Sequence, residues 1–164
     1  MEFVRIAIQG YGLMKLATRL SMVAILVNDQ DEALRFYTEK LGLEKCLDVT
    51  YAPGMRLLTV VSRGHVRPQI ALARPEVTLH GSERVRQVMQ QVGRGVPWVF
   101  ATGDCHRMYD TLRERGVAFL HEPVRLLYGV EAVFVDPFGN IFSLLEPAPE
   151  AQALCESRCI GLAA

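Results

Sequence analysis

One pattern of apolar and polar positions organises the first half of the chain. An apolar, β-rich run from Leu20 to Val27 predicts a buried strand, and Asp29 then suits the N-cap of a helix that Gly42 would end. Four apolar residues at helical spacing support this helix: Ala33, Leu34, Tyr37 and Leu41. Three more strands are predicted at Glu44 to Thr50, Met55 to Ser62 and Val66 to Ala73. Residues 20–75 are therefore predicted to form a βαβββ module.

The same order returns in residues 97–147. A strand from Pro97 to Thr102 precedes Asp104, a second N-cap, and Gly116 would end the second helix. Asp104 follows Asp29 by 75 positions and Gly116 follows Gly42 by 74, so the pattern is an internal repeat. The second helix has its apolar stripe at Cys105, Met108, Tyr109 and Leu112, and the strands after it are predicted at Val117 to His121, at Val124 to Tyr128 and in a closing hairpin.

The closing hairpin has the clearest turn in the chain. Two apolar arms flank the segment DPFGN, in which Asp136, Pro137 and Gly139 suit a type I turn closed by a left-handed glycine. The second arm, Ile141 to Leu145, is almost wholly apolar and would form the last strand of the repeat.

Three segments lie outside the repeat. Residues 1–19 are expected to form an N-terminal arm or an extra strand. Their G-x-G at Gly10 and Gly12 suggests dinucleotide binding, but Lys15 takes the place of the third glycine, which disfavours that interpretation. Residues 76–96 are expected to be a connector with a short amphipathic helix, and residues 148–164 a tail that is helical or frayed.

Composition excludes several classes of protein. The chain has 164 residues, is 50% hydrophobic and has no net charge, so it can bury a core but offers no electrostatic footprint for nucleic acid. The uncharged run from Leu20 to Val27 is far shorter than the ~20 residues of a membrane span. No signal peptide is recognisable, and the four cysteines form no CxxC pair. We therefore expect a cytoplasmic protein with free thiols.

Three segments of the repeat resemble the vicinal oxygen chelate superfamily, the group of glyoxalase I, the bleomycin-resistance proteins and the extradiol dioxygenases. They are VAILVNDQDEALRFYTEKLGLE, FATGDCHRMYDTLRERGV and DPFGNIFSLLEP. The resemblance covers about Leu20 to Pro147. It implies an α+β fold in which two tandem βαβββ modules form an open half-barrel around a cavity, and it implies a homodimer.

Enzymes of that superfamily usually hold a divalent metal through His, Gln or Glu on the first and last strands of each module. The matching positions here are Met22, Pro97 and Ser143, with Gln69 or Ala71 at the fourth. Thioether and hydroxyl groups are poor ligands for such cations, so these departures from the family's pattern predict that the usual metal site is absent, and no other cofactor is expected. A divalent metal held elsewhere is the alternative. The four histidines, at positions 65, 80, 106 and 121, show no paired ligand spacing and are expected to be surface residues.

We expect the cavity to bind a small hydrophobic or aromatic molecule, in the manner of a sequestering or resistance protein. Among its predicted residues, Arg56 could contact an anion, and Trp98 could stack on a ligand or pack in the core, since it points opposite to Val99. The alternatives are a glyoxalase-like lyase, an isomerase or a dioxygenase that uses a displaced metal or acid–base residues such as Glu131 and Glu146, and a purely structural dimer. The predicted cavity residues are Met22, Ala24, Arg56, Gln69, Ala71, Trp98, Val99, Tyr128, Glu131, Ile141 and Ser143.

Overall fold

A computed structural model describes residues 20–76, 81–95, 97–150 and 153. The predicted N-terminal arm (1–19) and its G-x-G segment lie outside the described residues, as does most of the predicted tail (148–164).

The first sheet contains four strands in the order β1-β4-β3-β2. The parallel pair β1 and β4 brings Met22 opposite Gln69 and Ala24 opposite Ala71, and the other pairs are antiparallel. In chain order, the elements are β1 (Met22–Leu26), α1 (Gln30–Arg35), a π-helical segment (Phe36–Lys40), β2 (Glu44–Ala52), β3 (Met55–Val61) and β4 (Gln69–Ala73).

The second sheet repeats this topology in the order β5-β8-β7-β6, again with one parallel pair, β5 and β8. The predicted pair of βαβββ modules is therefore confirmed, and the described strands form two mixed sheets with no closed barrel. The elements are α2 (Ser82–Met89) in the connecting segment, then β5 (Trp98–Ala101), α3 (Cys105–Glu114), β6 (Ala118–Leu126), β7 (Gly129–Val135) and β8 (Ile141–Pro147).

Local chemistry accounts for the ends of both helices. The Asp29 carboxylate accepts hydrogen bonds from the backbone N–H groups of Asp31 and Glu32, and Asp104 accepts one from the N–H of Arg107. Both predicted N-caps are thus confirmed. Beyond the helices, Gly42 and Gly116 have φ values of 78° and 77°, which a glycine adopts without steric cost.

The strand prediction after the second helix was wrong in one respect. The segments Val117 to His121 and Val124 to Tyr128 are one strand, β6, whose pairing with β7 shifts between Phe119 and His121 and again between His121 and Val124. Pro123 lies in the second irregular stretch, where its missing N–H costs no ladder hydrogen bond. Pro123 therefore lies at a bulge within one strand and not between two strands.

The two modules share one hydrophobic core, which lies on the helix-facing sides of both sheets. Tyr37 joins the modules: its ring is 6.1 Å from the ring of Phe142, and its hydroxyl donates a 2.8 Å hydrogen bond to the buried carboxylate of Asp136. Asn140 extends this joint by donating to the backbone oxygen of Leu26. Because side chains alternate along a strand, the opposite face of each sheet points away from this core. These two outer faces are called the open faces below.

Candidate functional site

The open face of the second sheet contains a carboxylate held by two hydroxyl groups. Glu131 lies on β7, opposite Leu145 on β8 and Val124 on β6. One of its oxygens accepts a hydrogen bond from the hydroxyl of Ser143, and the other accepts a 3.0 Å hydrogen bond from the hydroxyl of Tyr128. The structure thus brings three predicted cavity residues into one polar cluster.

The carboxylate of Glu131, at the centre of this cluster, shifts the pKa of the neighbouring Tyr128. The hydrogen bond to Glu131 raises the pKa of the Tyr128 hydroxyl, with desolvation and the nearby negative charge acting in the same direction. Tyr128 therefore remains a hydrogen-bond donor over a wider pH range than a free tyrosine. Ser143 is buried, Glu131 is half-buried and Tyr128 is exposed, so the cluster runs from the sheet surface towards solvent.

The open face of the first sheet contains a neutral polar pair instead. The buried Thr59 hydroxyl donates a 2.9 Å hydrogen bond to the side-chain oxygen of Gln69 and accepts a 3.1 Å bond from the backbone N–H of Leu47. Thr59 was not among the predicted residues, because β3 is apolar on both faces and alternation alone does not assign its sides. Its only signal in the sequence was a hydroxyl within an apolar run.

Large apolar side chains surround both polar groups and are open to solvent. Val99, directly opposite Ser143 in the β5–β8 pair, is 60% exposed, and Val124, opposite Glu131, is 54% exposed. A soluble monomer rarely leaves such a patch uncovered without a binding role. Further exposed apolar residues lie on the long strands β2 and β6: Leu47, Val49, Tyr51, Leu120 and Leu126.

The side chains at the positions of the superfamily's metal ligands do not suit a divalent cation. Met22 lies opposite Gln69, and Val99, two residues after Pro97, lies opposite Ser143, which gives one amide and one hydroxyl rather than several imidazole or carboxylate ligands. In the described part of the chain, no three His, Cys, Asp or Glu side chains are grouped so that they could hold a metal.

Arg56 differs from its expected role. It has the same strand parity as the core residues Leu58 and Val60, so it points to the helix side of the first sheet and away from the open face. Its guanidinium lies 2.7 Å from Asp31 on α1 and 2.8 Å from Asp48 on β2. These two carboxylates raise the pKa of Arg56, and Arg56 in turn lowers the pKa of Asp48 to about 2. Arg56 therefore links helix and hairpin instead of offering a free cation to an anion.

Trp98 lies at the border between the modules. With Ala24 and Ile141 it lines a pocket of about 130 Å³ beside the connecting segment, and with Val99 it lines a groove of about 420 Å³ between β1 and β5. The side chain of Trp98 is 43% exposed, so it is partly packed against the protein and partly open to a ligand. Four of the predicted cavity residues therefore line these two depressions, and one of them, Val99, also lies opposite Ser143 beside the cluster at Glu131.

Of the two carboxylates predicted for acid–base chemistry, only Glu131 lies on an open face. Glu146 accepts a 2.8 Å hydrogen bond from the backbone N–H of Cys105, at the start of α3, and so lies on the helix side of the second sheet. Among the histidines, His121 pairs with Val133 and lies on the same open face as Ser143. His121 was predicted to lie at the end of a strand, because β6 was divided in two, so its position on the open face was not predicted. His65 and His106 are exposed, and His80 lies outside the described residues.

No described helix is both long and apolar enough to cross a membrane.

Comparisons with known proteins identify the family. The model of the Glyoxalase/Bleomycin resistance protein/Dioxygenase superfamily matches residues 19–144, which is most of the chain. The YurT protein of Bacillus subtilis is 33% identical over 129 residues, a match that covers 78% of this chain and 98% of YurT. The chain therefore belongs to the glyoxalase/bleomycin resistance/dioxygenase superfamily.

Two solved structures are similar in both sequence and fold. The crystal structure of UcmS2 is 37% identical, with a TM-score of 0.70, and the match covers 80% of this chain and 99% of UcmS2. TnmS3, described as an antibiotic binding protein from Streptomyces sp. CB03234, is 25% identical with a TM-score of 0.65, and the match covers 82% of this chain and all of TnmS3 (100%).

Proposed function

We propose that this protein is a metal-free binding protein of the cytoplasm that sequesters a small hydrophobic or aromatic molecule on its open faces. The observation that carries the proposal is the open face of the second sheet, where exposed apolar side chains surround Ser143 at a position that metal-using relatives reserve for a ligand. An apolar surface with a few fixed polar groups matches the usual lining of a small-molecule site.

Similarity to binding proteins supports the same function. TnmS3 is described as an antibiotic binding protein, and its match extends over both modules of this chain. Resistance by sequestration needs affinity and burial of the ligand but no chemical step, which agrees with a site made of aliphatic side chains and a few hydrogen-bonding groups. A drug-like aromatic molecule is therefore the class of ligand that we propose.

A homodimer is part of this proposal. Each open face leaves large apolar side chains in solvent, among them Val49 and Tyr51 on the first sheet and Val124 and Leu126 on the second. A ligand lying on a single open sheet would remain half exposed, whereas a second copy of the chain would bury it from the other side. Sedimentation of the purified protein should give twice the mass of one chain.

An enzyme is the second candidate, and one observation favours it. The hydroxyl of Ser143 is hydrogen-bonded to Glu131 on the open face, so a general base and a polar group occur together where a substrate would lie. In that case Glu131 would exchange a proton with the substrate of a lyase or an isomerase, while Glu146 would stay occupied at the start of α3. Turnover of a bound molecule, detected as a changed mass after incubation, would favour this candidate.

The proposal is tested by placing a charge on the open face. Fluorescence titration with phenylnaphthylamine, a neutral aromatic probe, should show binding to the unmodified protein and at least about tenfold weaker binding to Val124→Glu, because the probe would have to desolvate a second carboxylate beside Glu131. Val66→Glu is the matched control, since Val66 is 75% exposed in the β3–β4 loop. Equal loss in both variants would contradict binding on the open face.

Elemental analysis tests the metal-free part separately. Protein purified without chelators should contain no stoichiometric Ni, Zn, Fe or Mn, and probe affinity should be the same before and after dialysis against EDTA. A tightly held metal, released together with probe binding, would overturn this part of the proposal.

A further inference from the structure

The carboxylate of Glu131 has no cationic partner in the described parts of the chain. Its two hydrogen bonds come from the neutral hydroxyl groups of Ser143 and Tyr128, while the ion pairs of the structure lie elsewhere, at Arg56, Lys45, Arg63 and Arg86. Its neighbours across the sheet, Val124 and Leu145, are apolar. The open face therefore presents a carboxylate with no ion-pair partner among the described residues, set among apolar side chains, with the imidazole of His121 at the next pair on this face of β6 and β7.

A bound molecule would change the environment of this charge. As long as the face is open, water solvates the outer side of the carboxylate. A ligand that covers Val124 and Leu145 removes this water, and an ion buried without a partner is strongly unfavourable. A wholly apolar ligand would thus lose much of the free energy gained on Val99, Val124 and Leu145.

We propose that Glu131 determines the specificity of this site and selects aromatic or apolar molecules that carry a cationic nitrogen. The inference rests on the proposed binding function and names its ligand class. A protonated amine or an amidine-like group would take the place of the lost water and pair with the carboxylate, and the apolar body would lie against the valine and leucine side chains. Charge-assisted hydrogen bonds of this kind are shorter and stronger than neutral ones.

The two hydroxyl donors fix the carboxylate in advance. Ser143 is 5% exposed and holds one oxygen from the sheet, while Tyr128 holds the other from the edge of the face. The carboxylate loses little freedom when a ligand arrives, because both of its oxygens are already oriented. Each oxygen also retains acceptor capacity for a ligand N–H. Ser143 and Tyr128 are therefore positioning residues for Glu131.

The first sheet provides an internal contrast. Leu57 lies opposite Val49 on β2, as Glu131 lies opposite Val124 on β6, so an apolar side chain takes the place of the carboxylate. The polar pair of that sheet, Thr59 and Gln69, is neutral and internally satisfied. The proposed preference for a cationic ligand thus applies to the open face of the second sheet and not to that of the first.

Three fluorescent probes of similar size separate the possibilities: aminoacridine, an aromatic cation; phenylnaphthylamine, which is neutral; and anilinonaphthalene sulfonate, an anion. The unmodified protein should bind the cation at least about tenfold more tightly than the neutral probe, as expected for one charged hydrogen bond. Glu131→Gln should remove this preference and leave the neutral probe bound as well as before or better. Glu131→Asp, which keeps the charge, should retain part of the preference.

Glu114→Gln is the matched control, because it removes the same charge from an exposed position at the end of α3. Circular dichroism melting establishes that each variant is folded. Equal affinity of Glu131→Gln and the unmodified protein for the cation would overturn the inference, while binding of the neutral probe would leave the proposed function intact. If none of the three probes binds, both fall together.

Discussion

The two modules have the same strand order and equivalent pairing of their parallel strands, but use different chemistry at corresponding positions. Where the second module has the buried, apolar Val130, the first has Arg56, an ionic link between β3 and α1. Where the second has Glu131 on its open face, the first has Leu57. The shared topology thus determines on which face of the sheet each side chain lies, but it does not determine the type of side chain.

The difference extends to the way the modules are joined. The turn between β7 and β8 contributes Asp136, whose carboxylate accepts hydrogen bonds from Tyr37 of the first module and from Asn140 and Phe138 of its own. The loop between β3 and β4 is exposed throughout, and its Arg63 forms an ion pair with Glu44 of the same module. The second module therefore provides the turn and the acceptor carboxylate that join the two modules, and the first provides the hydroxyl of Tyr37. Three pairs of substitutions, one member in each module, test how the modules differ.

The largest effect is expected at the aromatic contact between the modules. Phe142 is fully buried and packs against Tyr37, so Phe142→Ala should lower the free energy of unfolding by about 3–5 kcal/mol through loss of buried area and the cavity left behind. Ile70 is the corresponding residue of the first module and is only partly buried. Ile70→Ala should cost distinctly less, about 1–2 kcal/mol, because solvent already reaches the site. Urea unfolding measures both, and equal losses would contradict the proposed asymmetry.

The polar joint gives the next largest effect. Asp136→Ala leaves the buried hydroxyl of Tyr37 and two backbone N–H groups of the turn without an acceptor, and we expect a loss of about 3 kcal/mol. Ser62→Ala, in the corresponding loop of the first module, should change stability by less than about 0.5 kcal/mol. A loss below about 1 kcal/mol for Asp136→Ala would show that water replaces the carboxylate and that the joint is not closed to solvent.

Local signals in the sequence were enough to predict the fold. These signals form contacts only with residues close by in the chain, as the N-caps Asp29 and Asp104 do. In the turn, Gly139 has a φ of 85° and its N–H donates to the backbone oxygen of Asp136. The π-helical segment Phe36–Lys40 and the bulged strand β6 were missed, because both depend on how the segment packs against the rest of the module rather than on its own residues.

The candidate site was harder to predict, because it depends on register. In the run from Leu57 to Val61 every side chain but one is aliphatic, so alternation could not show that Arg56 points to the helix side and Thr59 to the open face. Glu131 and Ser143 were predicted separately as cavity residues, and only the pairing of Val133 with Ser143 shows that they lie side by side on the sheet. Whether these residues bind a ligand stays a prediction.

The smallest effect concerns Arg56 and Val130, the corresponding pair with different chemistry. Arg56 holds the pKa of Asp48 at about 2, below the ordinary 3.8, so the bridge stabilises the fold fully above pH 3.8 and less as the pH falls towards 2. Arg56→Gln should therefore cost about 0.5–1 kcal/mol at neutral pH, since both partners are partly exposed, and this cost should shrink in acid. Val130→Ala should cost about 1–2 kcal/mol at every pH, because the lost contacts carry no charge. Unfolding curves of both variants and the unmodified protein across this range measure the difference.

A cost of Arg56→Gln that does not change with pH would mean that Arg56 acts through the packing of its aliphatic stem, and the two modules would then differ less than their charges indicate.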